Sequence, residues 1–129
     1  MKPIPIPAAP GELLDKISIL QIKIERITDA SKRANASHEL ALLSDLRHAE
    51  LPTSVGLERL FADLKSVNET LWQIEDDIRD HERTGNFSTS FVELARGVYR
   101  QNDRRAALKR EINTLLGSEI VEEKSYAVY

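Results

Sequence analysis

The stretch SVGLERLFADLKSVNETLWQIEDDIRDHERTG, residues 54–85, decides the fold. Leu57, Leu60, Leu64, Val67, Leu71, Ile74 and Ile78 recur by threes and fours, the spacing that lines one side of an α-helix. Ser54, with Glu58 nearby, can cap its start. Arg83-Thr-Gly-Asn86 reads as a turn, with Gly85 suited to a left-handed helix terminus. Beyond it, Ser88 or Thr89 can cap a further helix running through Phe91, Leu94, Val98, Ala106, Ile112 and Leu116 to Gly117. Two long helices joined by so short a turn lie antiparallel.

Toward the N-terminus, Pro52-Thr53-Ser54 breaks a preceding helix in which Ala36, Leu40, Leu43 and Leu46 return at helical spacing. Asp29 to Arg33 is polar and ends or bends the helix before that one. This earlier helix opens at Pro10-Gly11-Glu12 and carries Leu13, Ile17, Leu20, Ile24 and Ile27 on one side, with Ile19 and Ile22 on another. Apolar residues on two sides predict two neighbours, one of which we expect to be a second subunit, hence a homodimer. Four of the five prolines fall in the first ten residues, where they favour an extended arm. Ile4 and Ile6 on that arm either pack back on the body or enter a partner's groove.

The expectation is therefore one all-α domain over residues 1–129, an antiparallel helical bundle dominated by a long C-terminal helical hairpin. The segments expected are a Pro-rich arm (1–10), helices over 11–30, 34–50, 54–82 and 88–117, and an irregular tail (118–129). At 129 residues the chain is long enough for one real core and too short for two. With 41% apolar and 30% charged residues it is too apolar for a disordered chain. The absence of cysteine excludes disulfides, thiolate metal sites and cysteine nucleophiles. No stretch approaches the roughly 18 uncharged apolar residues of a membrane span, nor is there the apolar core of a signal peptide, so a cytoplasmic protein is expected.

The informative residues are polar ones on apolar faces. At about 100° per residue, Asn68, Glu75 and Arg79 fall inside the apolar arc of the 54–82 helix, flanked by Trp72. On the 88–117 helix, Asn102, Arg105, Lys109 and Asn113 fall on the apolar side between Val98 and Leu116. Antiparallel pairing brings Asn68 near Asn102 and Trp72 near Tyr99, with Glu75 within about two turns of Arg105. A buried charge must be paired or hydrogen-bonded. Two readings stay open: an internal network that sets helix register, or an inter-helix pocket in which Arg105 and Lys109, with Arg79, hold an anionic group while Glu75 serves as acid, base or acceptor.

Other chemistry has less support. Glu75-Asp76-Asp77 resembles a metal-binding acidic cluster, but adjacent helical residues diverge. His38, His48 and His81 lack zinc-site spacing, and there is no phosphate-cradling glycine loop and no nucleophile elbow. No metal and no cofactor are expected, and whether the chain is an enzyme stays open. Arg96, Arg100 and Arg104 form a basic ridge, but the net charge of -3, Glu93 beside Arg96 and the missing aromatic interleaving argue against nucleic acid.

Three segments, Glu12-Leu-Leu-Asp-Lys-Ile-Ser-Ile-Leu-Gln-Ile-Lys23, Asn68-Glu-Thr-Leu-Trp-Gln-Ile-Glu-Asp-Asp-Ile-Arg79 and Asn102-Asp-Arg-Arg-Ala-Ala-Leu-Lys-Arg-Glu-Ile-Asn113, together with Glu122-Glu-Lys-Ser-Tyr126, resemble a small bacterial family known as domain of unknown function 6165. The resemblance implies a setting beside glycosyltransferase and other cell-surface polysaccharide genes, and carries no catalytic residues. The function it suggests is a helical interaction or accessory protein with a protein partner in a glycosyltransferase pathway; the alternative is an all-α enzyme or binding protein for an anionic metabolite such as a sugar phosphate, nucleotide or carboxylate. The first helix is similar to the opening helix of helical chorismate mutases, but Leu14 stands where that family needs an arginine. Glu12-x-x-Asp15 matches half of the magnesium motif of all-α nucleotide pyrophosphohydrolases, without its partner motif.

Overall fold

Four helices and no strand make up the computed structural model, which describes residues 1–129: α1 (Pro10–Arg26), α2 (Ala30–Glu50), α3 (Val55–Thr84) and α4 (Thr89–Leu115). The ends of α3 follow from its sequence. Ser54 Oγ accepts a hydrogen bond from the Leu57 N–H at 3.1 Å, and the chain turns at Gly85 with φ of 69°, a conformation that favours glycine. α2 starts at Ala30, four residues before the expected 34, because the Asp29 carboxylate accepts from the Lys32 N–H at 2.8 Å. α1 ends at Arg26, just before the polar run from Asp29 to Arg33, and that run is itself the capped start of α2. At α4 the N-cap is Ser88, but its hydroxyl meets Ser90 Oγ at 3.0 Å and makes no capping bond.

The first turn of α1 is completed from another helix. Its N-cap, Ala9, has no side chain able to cap, and Pro10 has no N–H to satisfy. The N–H groups of Glu12 and Leu13 reach the Ala9 carbonyl at 3.0 and 3.3 Å. The remaining donor, the Gly11 N–H, goes to Asn113 Oδ1 on α4 at 2.8 Å. This bond requires a very close approach. A Cβ on Gly11 would lie 2.6 Å from the Lys109 carbonyl oxygen and 2.8 Å from Asn113 Oδ1.

α3 and α4 pack along each other in one constant register. His81 Nε2 meets Ser90 Oγ at 3.0 Å, Ile74 covers Gly97, and Leu115 lies over Gly56. Each step down α3 is matched by an equal step up α4, so the two run antiparallel. α1 lies between this pair and α2. Its contacts Gly11–Asn113, Glu12–Lys109 and Asp15–Arg105 descend α4 as they ascend α1, while Ser18–Asn68 and Arg26–Gln73 ascend both α1 and α3. α1 is therefore antiparallel to α4 and parallel to α3.

The core is Leu14, Ile17, Leu57, Leu64 and Ile112, with Leu40 and Leu43 of α2 packed against it. Only 16 of 129 residues are buried, so this core is thin and its polar members weigh heavily on how the helices sit. Both apolar sides of α1 are covered within the chain, by α2 and by the α3–α4 pair. That removes the reason for which a second subunit was expected. Residues 1–9 form neither helix nor strand, and Ile4 and Ile6 do not pack back on the body but stand exposed.

Alanine favours a helix over glycine by up to about 1 kcal/mol, but at position 11 its methyl group would push α1 off the α4 backbone. Gly11→Ala is expected to lower unfolding stability by roughly 1–3 kcal/mol in urea titrations. Stabilisation by the substitution would show that the close α1–α4 approach is not required.

Candidate functional site

The polar stripe of α1 repeats at Gly11, Asp15 and Ser18, three to four residues apart, so all three point the same way. The Gly11 contact brings this stripe against α4, and Asp15 ends up 1% exposed at the meeting point of three helices. Its Oδ1 accepts from Asn68 Nδ2 of α3 and from Arg105 Nε of α4, each at 2.9 Å. Arg105 Nη2 donates to Oδ2, which makes the contact bidentate. Asn68 Nδ2 also donates to Ser18 Oγ at 2.8 Å, and that hydroxyl donates to the Asp15 carbonyl at 2.8 Å. Every member of this knot has a partner. A buried carboxylate so supplied is tolerated, whereas loss of one partner strands a charge in the interior.

One turn further along, Lys109 Nζ sits 2.6 Å from Glu12 Oε2 and 3.5 Å from Glu122 Oε2, with its side chain only 15% exposed. Both cations respond to these carboxylates. The hydrogen bond to Asp15 holds the Arg105 guanidinium above its ordinary pKa, against the effect of burial. For Lys109, burial is the largest single influence and lowers the pKa. The hydrogen bond to Glu12 and the charges of Asp15, Glu12 and Glu122 together outweigh it, so the ammonium is held above its ordinary value.

The eight residues singled out in the sequence divide into two groups. Asn68, Arg105 and Asn113 are tied to α1, and Lys109 is tied to both α1 and the segment 118–129. Asn102 lies on the same side of α4 as Arg105 and lines a cavity with it. Glu75 and Arg79, expected on the apolar face, instead pair with each other on the surface, their side chains 47% and 70% exposed. The register that sets Ile74 against Gly97 leaves Glu75 near Arg96, too far toward the turn to serve Arg105. Trp72 is half-buried.

The residue that sequence reasoning missed is Asp15. A signal was present: Asp15 and Ser18 border Leu14 and Ile22 on the α1 wheel, so they too are polar positions inside an apolar arc. Glu12-x-x-Asp15 now has a structural account, since each carboxylate meets a cation of α4. No three His, Cys, Asp or Glu side chains are grouped as a metal site would need.

The cavity lies between α4 and residues 118–129, has a volume of about 320 Å³, and is lined by Asn102, Arg105, Lys109, Arg110 and Asn113 from α4 and by Glu122, Glu123 and Lys124 from the segment that covers it. Arg105 enters this lining with its Nε and Nη2 already spent on Asp15, while Nη1 makes no hydrogen bond within the protein. The knot therefore holds the guanidinium rigidly at the cavity wall.

These segments are those of one family. The chain belongs to DUF6165, a family of unknown function, whose sequence model matches residues 4–129. In this DUF6165 chain the match takes in the α1 stripe, the knot, the cavity wall and the covering segment alike. No match was found among curated proteins or among solved structures.

Because the folded pKa of Lys109 is raised, the stabilisation from its carboxylate pairs is complete below the ordinary lysine value of about 10.4 and is lost as pH rises through the folded value. Tyr129, raised by its hydrogen bond to Asp103, acts in the same direction, so the comparison must isolate Lys109. The stability difference between wild type and Lys109→Met, measured by urea unfolding, is expected to be constant through neutral pH and to shrink above about pH 10. A difference that stays constant across that range would contradict the pairing.

Proposed function

We propose that this family member is a small helical binding protein for an anionic group, held in the cavity between α4 and residues 118–129. The observation that carries this reading is the convergence of Arg105, Lys109 and Arg110 with the amides of Asn102 and Asn113 on a space of about 320 Å³, the lower end of the range that ligand sites occupy. Arg105, its Nε and Nη2 bound to Asp15, presents its remaining nitrogen Nη1 to an oxyanion, and Lys109 a point charge on a partly buried stem. Asn102 lines the same space from one turn of α4 away from Arg105. Glu75, Arg79 and Trp72 have no part in this site.

A second reading, a helical interaction protein acting as a homodimer, is supported by the exposed apolar side chains of Leu42 and Leu46, one turn apart on α2, and of Ile4 and Ile6. The two readings are compatible. On the family resemblance set out above, we place the protein as an accessory to cell-surface polysaccharide assembly, where sugar phosphates are among the anions present. No helix is long and apolar enough to cross a membrane.

Thermal unfolding with and without inorganic phosphate tests the cavity. At a ligand concentration about 100 times Kd, binding stabilises the native state by about 2.7 kcal/mol and raises the midpoint accordingly. Arg110→Met, which removes an exposed cation, is expected to unfold like wild type without phosphate and to lose most of the shift with it. A midpoint that millimolar phosphate leaves unmoved, or moves equally in both proteins, would defeat the proposal. Light scattering on the same samples measures their mass, and a strict monomer would remove the dimer.

A further inference from the structure

Residues 119–129 are bound to the rest of the protein in an unusual way. The Ser118 N–H still bonds the Asn113 carbonyl at 2.8 Å, but beyond it no backbone–backbone hydrogen bond is made. The segment is neither helix nor strand and is exposed along its length. Side chains hold it to α4. Glu122 lies 3.5 Å from Lys109 Nζ and Glu123 3.4 Å from Arg110 Nη1. The Tyr129 hydroxyl donates to Asp103 at 2.6 Å, and the Tyr129 ring meets the Tyr99 ring edge-on, with centroids 5.1 Å apart.

Ion pairs of this length made by surface carboxylates are weak, and each is open to exchange with another anion. The two pairs are also the ones that neutralise the cavity. Lys109 keeps its close partner Glu12 at 2.6 Å whatever happens outside, so Glu122 is the outer and replaceable carboxylate. The consecutive carboxylates of Glu122 and Glu123 meet the consecutive cations of Lys109 and Arg110. Two linked negative charges therefore already occupy the positions a ligand would take.

Resting on the anion-binding reading of the cavity, we propose that its ligand carries two linked anionic groups, a diphosphate, and that Glu122 and Glu123 hold the ligand's charge positions in the free protein. Entry of the ligand displaces both carboxylates from Lys109 and Arg110 and loosens residues 119–129 from α4. Glu12 and Asp15 stay in place and keep Lys109 and Arg105 oriented throughout. The covering segment thereby sets the affinity: it competes with the ligand, and its release reports occupancy.

Isothermal titration of the full chain with inorganic diphosphate, and separately with inorganic phosphate, tests this in wild type, in the double variant Glu122→Gln/Glu123→Gln and in Arg110→Met. The glutamine variant keeps the segment's size and removes only its charge. It is expected to bind diphosphate roughly three- to tenfold more tightly than wild type. Diphosphate is expected to bind more tightly than phosphate in both, and to speed tryptic cleavage after Lys124 in wild type. Equal diphosphate affinity in wild type and the glutamine variant would overturn the competition while leaving the cavity as an anion site. Phosphate binding as tightly as diphosphate would overturn the ligand class. Absence of binding in every protein, or binding unaffected by Arg110→Met, would overturn the cavity reading and this inference with it.

Discussion

A carboxylate with almost no access to water sits where three helices meet, and the rest of the molecule is arranged to satisfy it. Asp15 needs donors on both oxygens, and it obtains them from Asn68 of α3 and Arg105 of α4. Those donors lie 53 and 90 residues away in the chain. Hydrophobic contact among Leu14, Leu57, Leu64 and Ile112 pulls the helices together, but apolar packing alone tolerates sliding by a turn. The knot does not. A bidentate guanidinium–carboxylate contact and a two-way amide have one geometry, so α1 can occupy only one height against α3 and α4. The Gly11–Asn113 contact one turn away allows the approach that the bidentate contact needs.

The same arrangement prepares the proposed site. Asp15 and Glu12 are the inner partners of Arg105 and Lys109, and they fix both cations at the wall of the cavity. Holding cations by inner carboxylates, one of them buried, keeps their charge and removes their conformational freedom, which lowers the entropic cost of binding an anion. The outer partners, Glu122 and Glu123, come from a segment without regular structure and are held at longer distances. The fold thus divides its carboxylates into a fixed inner pair and a movable outer pair.

Much of the fold was legible in the sequence because local signals and tertiary packing agree. The apolar stripe from Leu57 to Ile78, the Ser54 cap and the Gly85 turn each depend only on neighbouring residues, and each specifies its piece of α3. The start of α2 lies four residues before the expected 34 because one local signal, the polarity of residues 29–33, conceals another, the Asp29 cap. The two-sided apolar surface of α1 was visible, but whether its second neighbour is another helix or another chain is a long-range question that periodicity does not answer. In the site, the helical wheel points Asn68, Arg105, Lys109 and Asn113 inward because direction on a helix is local information. It offers Glu75 as a carboxylate within about two turns of Arg105, whereas Asp15 of α1 is the one that binds it, because partner choice depends on where α1 lies. The wheel of α3 also includes Glu75 and Arg79, which lie past Gln73, where Arg26 of α1 still reaches, and pair with each other, Glu75 half-exposed and Arg79 exposed.

If the knot sets the height of α1, Asp15 and Arg105 are energetically coupled across the α1–α4 contact. A double-mutant cycle with Asp15→Asn, Arg105→Met and the combined variant, measured by urea unfolding at neutral pH, tests it most directly. Arg105→Met, which strands the Asp15 carboxylate, is expected to cost about 3–5 kcal/mol, and the combined variant to recover a substantial part of that loss. Additive effects of the two substitutions, with no coupling between them, would contradict it.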